Sequence, residues 1–267
     1  MTINVGYIGV GMIGKLMAAN VMKGGFPLMV YDLRKEALQD MAKLGAKIGA
    51  SPKEIGQFAD VVALSVNDDA QVEEVVLGKN GVLEGAKAGT IIAIHSTIVP
   101  ETAVKIGKAA KEHGVGVVDA PISGGPEGAA ARTMLYMVGG EEAMFQRCKP
   151  VFATSGTTIV HMGPLGAGSM TRIVHHVILG LNRFAADEGM KLAQALGLDV
   201  ATVCRAVSAG EAQSLVVSRY LEKYRDMPAS GQYRVAGIAM RMANERGVSL
   251  LGPALFQQLY LPTKPKG

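Results

Sequence analysis

The chain has 267 residues, 49% of them apolar and 19% charged, with 34 glycines and a net charge of +4. This composition excludes disordered, collagen-like and disulfide-scaffold classes, and the length suits two modest domains or one large α/β unit. The 27 basic and 23 acidic residues form no run of four, which points to small anionic molecules rather than nucleic acid.

Mean hydropathy is +0.24, yet no window offers the ~18 uninterrupted apolar residues of a membrane-spanning helix. No basic residue precedes Lys15, so the amino terminus lacks the charged region of a secretory signal, and the cytoplasm is the expected compartment. Cys148 and Cys204 stand far apart and in no CxxC frame. They are expected to be buried thiols rather than metal ligands or a disulfide.

In chain order, Ile3–Ile8, Leu28–Tyr31, Val61–Leu64, Thr90–Ile94 and Val115–Val118 read as buried strands alternating with helical stretches. Such alternation predicts a parallel, doubly wound sheet covered on both faces. Met134–Val138 and Thr157–Val160 add two strands around a helix near Glu141–Phe152, and the strand signal then stops. An N-terminal Rossmann-type α/β domain is therefore expected over 1–162, and an all-α domain over 163–267.

That second part opens on a long inter-domain helix, Leu165 to Leu196, roughly 48 Å if unbroken. Its apolar residues Met170, Ile173, Val174, Val177, Leu181, Phe184, Leu192 and Leu196 recur at helical spacing. Arg172, His176, Arg183, Asp187, Lys191 and Gln194 form an opposite stripe. Further helices are expected at Val200–Val207, Ser214–Tyr224 and Tyr233–Arg246, and the tail from Pro262 to Gly267 should fray. A ~100-residue helical domain cannot bury the whole apolar stripe of the long helix, which predicts a homodimer or homotetramer.

Directly after the first strand stands Gly9-Val10-Gly11-Met12-Ile13-Gly14, a GxGxxG opening a helix. The first glycine permits the tight turn, the second lets a pyrophosphate approach the backbone, and the third lets helix and strand pack closely. Met12 and Ile13 lie in the first helical turn, whose N–H groups favour an anion. Asp32 closes the second strand, eighteen residues past Gly14, where a carboxylate can accept both ribose hydroxyls and repel a 2′-phosphate. NAD is favoured, while Arg34 and Lys35 keep NADP open. The competing readings are a turn without ligand and an Asp32 that merely caps the next helix. Val66 and Asn67, just past the third strand, are placed with the same site.

The segment Asp119-Ala-Pro-Ile-Ser123-Gly124-Gly125-Pro-Glu-Gly-Ala129, followed by Met134–Gly140, resembles the β-hydroxyacid dehydrogenase family. So do the extended cofactor motif Gly9–Gly25, the segment His95-Ser96-Thr97 with Pro100, and Gly163-Pro-Leu-Gly166-Ala-Gly168 before the long helix. The resemblance runs in order along nearly the whole chain. It implies that Ser123, Gly124 and Gly125 hold a substrate carboxylate and that Thr97 lies beside the nicotinamide.

Departures from that family pattern fall at the reaction centre. Where the family carries a lysine four residues beyond the last of these glycines, and asparagines soon after, this chain has Arg172, His175 and His176. Near the end, the family's Lys-Asp-Leu reads Arg234-Val-Ala, leaving Arg234 as a candidate substrate contact. The lysine is the family's expected acid–base group, and arginine, with a pKa above ~12, gives up no proton. Histidine does exchange protons near neutrality. This suggests a swapped pair in which Arg172 holds an anionic group and His176 moves the proton, with His175 as its alternate. Adjacent histidines point ~100° apart on a helix, so they are not expected to share a metal ion. His95, His113 and His161 read as structural or N-cap-like.

The sequence thus points to an NAD(P)-dependent oxidoreductase acting on a small anionic β-hydroxyacid or its semialdehyde. Two other readings stay open: an imine-reductase-like enzyme, and a catalytically silent NAD-binding protein.

Overall fold

The computed structural model describes residues 2–226 and 230–259; the tail after Leu259 lies outside them. The chain divides into two compact units, Met1–Arg172 and Ile173 onward.

The first unit runs β1 (Val5–Ile8), α1 (Met12–Lys23), β2 (Leu28–Tyr31), α2 (Lys35–Lys43), β3 (Lys47–Ile48), α3 (Pro52–Phe58), β4 (Val61–Leu64) and α4 (Asp69–Leu77). It continues with β5 (Ile91–Ile94), α5 (Pro100–Glu112), β6 (Gly116–Asp119), β7 (Ile122–Ser123), α6 (Gly125–Ala131), β8 (Met134–Gly139), α7 (Glu142–Phe152) and β9 (Gly156–Gly163). Sheet order is β3-β2-β1-β4-β5-β6-β8-β7, with β9 also on β8. Strands β1 to β6 pair in parallel, while β8 is antiparallel to β6 and β7. The parallel part has the order 3-2-1-4-5-6 of a dinucleotide-binding sheet, whose switch point falls between β1 and β4.

Every residue of β1, β4, β5 and β6 is buried. Alternate residues feed two separate cores, Val61 and Ala63 into one and Val62 and Leu64 into the other. Such strands are apolar because helices cover both faces of the sheet, and the one charge among them, Asp119 at the end of β6, is hydrogen-bonded. Ile3, Thr90 and Val115, expected within strands, lie just before them. Strands β3 and β7, of two residues each, are too short to leave an alternation in the sequence.

The second unit starts within α8 (Ala167–Ala195), a helix of 29 residues, so about 43 Å long. It continues with α9 (Val200–Ser208), α10 (Leu215–Ser218), α11 (Ser230–Asn244) and α12 (Leu251–Leu259). No strand occurs in it among the described residues, and no described helix is long and apolar enough to cross a membrane. The single helix expected at Ser214–Tyr224 is instead α10 followed by a π-turn, Tyr220–Tyr224. The wider turn keeps Tyr220 and Tyr224 both buried.

The two stripes of α8 do not sort simply into core and solvent. Met170, Val174 and Leu192 of the expected apolar stripe are 42–60% exposed, whereas Arg183 and Asp187 are buried. Asp187 accepts a hydrogen bond from the Tyr220 hydroxyl at 2.9 Å and lies 3.9 Å from Arg183 Nε. Arg183 Nη1 donates to Gln232 Oε1 at 3.4 Å. Arg183 and Asp187, one helical turn apart on the expected polar stripe, thus belong to the interior of their own unit.

Candidate active site

The GxGxxG turn sits at the carboxyl end of β1, beside the switch point. Gly9 has φ +88°, and a Cβ there would lie 2.3 Å from the Ser65 carbonyl oxygen. A Cβ on Gly14 would lie 2.0 Å from the Gly9 carbonyl oxygen, so α1 rests directly on the turn. At Gly11 the nearest obstacle is Arg34 Nη2 at 3.4 Å, which leaves the backbone open above it. Gly11 caps α1 without a side-chain bond, and the first turn holds no acidic residue. Its N–H groups and positive dipole end are therefore available to a phosphate. Met12 is 78% exposed, and Ile13 packs partly on the core.

Asp32 accepts the Val10 N–H at 2.9 Å and the Arg34 N–H at 2.9 Å. The Arg34 guanidinium grips it through Nε at 3.0 Å and Nη2 at 2.9 Å. Burial pushes the Asp32 carboxyl up, but the Arg34 bonds and charge outweigh it, so the group titrates below the usual carboxylate range. Asp32 thus does two jobs: it braces the glycine turn and presents a charged carboxylate beside the second strand. It lies just before α2, whose cap position is Arg34, so the plain N-cap reading does not describe it.

Val66 and Thr97 follow the carboxyl ends of β4 and β5 on this same edge of the sheet, and Asn67 is exposed beside them. Sequence reasoning named Ser96 only as part of the His95-Ser96-Thr97 segment and missed that it ties these ends together. The Ser96 hydroxyl accepts the Val66 N–H at 2.9 Å and donates to the Val66 carbonyl at 2.8 Å. A serine two residues past the apolar strand Ile91–Ile94 was the available signal, because such a hydroxyl has to find partners when buried.

His95 is buried among Tyr136 and Phe152, edge-on at 5.6 and 5.4 Å, and its Nδ1 hydrogen-bonds the Ala120 carbonyl at 2.9 Å. Burial brings its pKa down to about 4. It is structural, as its sequence setting suggested. Below pH 6.5 the unfolded chain binds a proton that the folded one refuses. Stability should therefore fall from pH 6.5 to 4, by roughly 3 kcal/mol in all. Urea midpoints against pH should show this slope in the parent and a flatter one in His95→Gln. Equal slopes would contradict a neutral, buried His95. His161 packs on Phe145 at 5.0 Å and hydrogen-bonds the Gly140 carbonyl. His113 caps the C-terminus of α5 rather than an N-terminus.

Ser123 ends β7, opposite Leu135 of β8. Gly124 and Gly125 follow with φ +138° and +66°, a reversal open to glycine at both positions. A Cβ on Gly124 would meet Met134 Sδ at 2.8 Å. Asn20 of α1 steadies this region by donating to the Ala129 carbonyl at 2.8 Å.

Asp119, at the end of β6, is fully buried and accepts the N–H groups of Gly166 at 2.8 Å and Ser169 at 2.6 Å. Burial pushes its carboxyl pKa up despite these bonds. Its role was also missed, although an aspartate inside the apolar run Val117–Ile122 signals a buried, paired charge. Arg172, one turn into α8 beyond Ser169, is largely buried, which brings its guanidinium down to about 10. It stays charged at neutral pH.

His175, His176 and Arg234 belong to the second unit. The two histidine rings stand edge-on with centroids 6.0 Å apart. His176 lines a small cavity with Val177, Gln232, Ala236 and Phe256, and its Nδ1 is buried. Arg234 is on the exposed side of α11.

Residues 4–163 match the NAD binding domain of 6-phosphogluconate dehydrogenase, and residues 166–267 match the family described as NAD-binding of NADP-dependent 3-hydroxyisobutyrate dehydrogenase. The chain is 32% identical over 266 residues to 2-(hydroxymethyl)glutarate dehydrogenase of Eubacterium barkeri, covering 97% of this chain and 88% of that one. It is 34% identical over 248 residues to the NAD-dependent L-serine dehydrogenase of Pseudomonas aeruginosa, covering 92% and 83%. The crystal structure of 3-hydroxyisobutyrate dehydrogenase from Salmonella typhimurium superposes with a TM-score of 0.85 at 26% identity, covering 97% and 93%. With its glycine turn, charged Asp32 and long helix after the sheet, the chain belongs to the β-hydroxyacid dehydrogenase family of NAD(P)-dependent oxidoreductases.

Proposed function

We propose that the enzyme transfers hydride between nicotinamide and the hydroxyl-bearing carbon of a small β-hydroxyacid of the form HO–CH2–CHR–COO⁻, or its semialdehyde. The observation that carries this reading is the pairing of the dinucleotide turn with relatives named for substrates of one shape. L-serine, 2-(hydroxymethyl)glutarate and 3-hydroxyisobutyrate all bear a hydroxymethyl group on the carbon next to a carboxylate.

The residues fit a dinucleotide: the Gly11 backbone is open, the first turn of α1 offers free N–H groups, and Asp32 suits a pair of ribose hydroxyls. Once bound there, NAD supplies the hydride acceptor. Ser123 and the amides of Gly124 and Gly125 hold the substrate carboxylate, and Thr97 lies beside the nicotinamide. Arg172 fixes a second oxygen of the substrate, with Arg234 as a further anion contact. His176 exchanges the hydroxyl proton, through Nε2 because Nδ1 is buried, with His175 as its alternate.

The change in NADH's own fluorescence on binding, read because the chain has no tryptophan, combined with turnover on a panel of β-hydroxyacids and cyclic imines, tests the assignment. Turnover of at least one hydroxymethyl acid is expected. Binding without any turnover would make the protein a silent nucleotide binder, and turnover of imines alone would change the reaction class.

NAD should be preferred over NADP, because Asp32 is charged and repels a 2′-phosphate. In Asp32→Ala the preference should move towards NADP, with Arg34 freed to meet the phosphate. Fluorescence titration with both nucleotides reads this, and an unchanged ratio would remove Asp32 from the site.

The assembly is proposed to be a homodimer or homotetramer. Met170, Val174 and Ile178 stand in one exposed row on α8, and Leu251, Leu255 and Leu259 in another on α12. A second copy presents matching rows, as a two-fold interface requires. Light scattering at micromolar concentration would show a multiple of 27.9 kDa, and a monomer would refute it. A cytoplasmic location is part of this reading, in keeping with two buried free thiols.

A further inference from the structure

We infer that Asp119 is a positioning residue, which fixes the first turn of α8 against the end of β6 and thereby sets where Arg172 stands relative to the Ser123–Gly125 loop. The inference rests on the proposed role of Arg172 as an anion clamp.

Asp119 lies at a junction of three segments. Its backbone ends β6, and the chain then runs through Ala120–Ile122 into Ser123. Its side chain spans to the start of α8, one oxygen on Gly166 N at 2.8 Å and the other on Ser169 N at 2.6 Å. Ser169 and Arg172 are three residues apart, so they share a face of the helix one turn apart. A shift at Ser169 is therefore carried directly to Arg172.

The packing leaves no slack around this contact. A Cβ on Gly168 would lie 2.4 Å from both the Asp119 and the Met137 carbonyl oxygens. One on Gly139 would lie 2.4 Å from Asp119 Oδ1 and 2.8 Å from Gly168 N. Gly166 takes φ +97° to bring the chain into the helix. The first turn of α8 thus lies against β6 and β8 with only hydrogen atoms between, and the carboxylate holds the N–H groups of Gly166, just before the helix, and Ser169, within its first turn.

Capping alone does not call for this residue. Serine, threonine or asparagine satisfies a helix N-terminus without burying a charge. A carboxylate differs in offering two acceptor oxygens at fixed separation to two different N–H groups. In Asp119→Asn, one of them would face an NH2 group, donor against donor.

The test is a double-mutant cycle of Asp119→Asn with Arg172→Ala, with L-serine and 3-hydroxyisobutyrate as probe acids. KM, kcat and the NADH dissociation constant are measured for each variant. Arg172→Ala should raise KM about 10-fold or more through the lost charge-assisted pair. Asp119→Asn should raise KM by about 10-fold with NADH affinity within about twofold, and should add nothing in the Arg172→Ala background. Hydrogen exchange at the Gly166 and Ser169 amides should be slow in the parent and faster in Asp119→Asn.

Additive losses in the double variant, or equal weakening of NADH and acid, would overturn the positioning role while leaving Arg172 its own. An unchanged KM in Arg172→Ala would overturn the clamp reading and this inference with it. Asp119→Ser covers the case in which Asp119→Asn does not fold. It keeps one small acceptor for the helix N-terminus and buries no NH2 group, but cannot hold both N–H groups at once. It should reproduce the KM effect with NADH affinity within about twofold, and normal KM would count against the proposal.

Discussion

Exchange of Gly14 for alanine is expected to abolish useful NADH binding and to destabilise the fold. The added Cβ would stand 2.0 Å from the Gly9 carbonyl oxygen, and neither partner can swing aside because the obstacle is backbone. Overpacking typically costs about 1–3 kcal/mol, and a rigid obstacle puts this site at the top of that range. Any relaxation must lift α1 from the turn and so displace the N–H groups that meet the pyrophosphate. A loss of about 100-fold or more in NADH affinity should accompany the fall in denaturation midpoint.

Gly11 provides the contrast. Its Cβ would meet only the tip of Arg34 at 3.4 Å, so Gly11→Ala should fold with nearly parental stability. It should nonetheless bind NADH poorly, because the methyl group occupies the approach to the backbone. Fluorescence titration and urea denaturation on the two variants separate the packing role from the ligand role. A Gly14→Ala protein as stable as the parent, or a Gly11→Ala protein with normal affinity, would break the assignment of these glycines.

His176→Ala carries the other large effect, an expected fall in kcat of ~10²–10⁴ on β-hydroxyacids with NADH affinity unchanged. Arg172 remains protonated even with its pKa brought down to about 10, so it can hold an oxyanion but not exchange its proton near neutrality. The adjacent histidines are the titratable groups within one turn of it on the same helix. Arg172→Lys is the sharper probe. A lysine buried at this place can be tuned to exchange protons, so turnover should be kept or increased, and should survive loss of His176. If His176→Ala is fully active while His175→Ala is inactive, the proton passes through the neighbour. If neither substitution changes kcat, no proton donor on α8 takes part.

The sheet was legible because strands buried on both faces are built almost wholly from apolar residues. Leu28–Tyr31 and Val61–Leu64 were read to the residue. The glycine turn was legible for a related reason: backbone contact excludes every side chain but hydrogen, and the sequence shows it. Asp119 and Ser96 were not, since their roles depend on partners 50 and 30 positions away, a relation that no local pattern encodes. Helix α12 was not expected, and its first turn shows why it is hard to read: it holds Gly252-Pro253, a pair that breaks a helix interior, yet proline is accepted in a first turn. The faces of α8 were misread where periodicity sorts residues by polarity alone. A buried ion pair and an exposed leucine are both errors under that rule, and α8 holds both.

The group formed by Arg183, Asp187, Tyr220 and Gln232 bears on how this helical unit can change over time. Apolar contacts tolerate sliding, because one leucine can replace another a turn away at little cost. A guanidinium, a carboxylate and a phenol have one good arrangement, so the group locks α8 in register with the π-turn and α11. The same lock constrains substitution: loss of either charge alone leaves the other buried, at a typical cost of about 3–5 kcal/mol, while replacing both with well-packed apolar side chains can be close to neutral. Among descendants of this chain, Arg183 and Asp187 should therefore be kept or lost together.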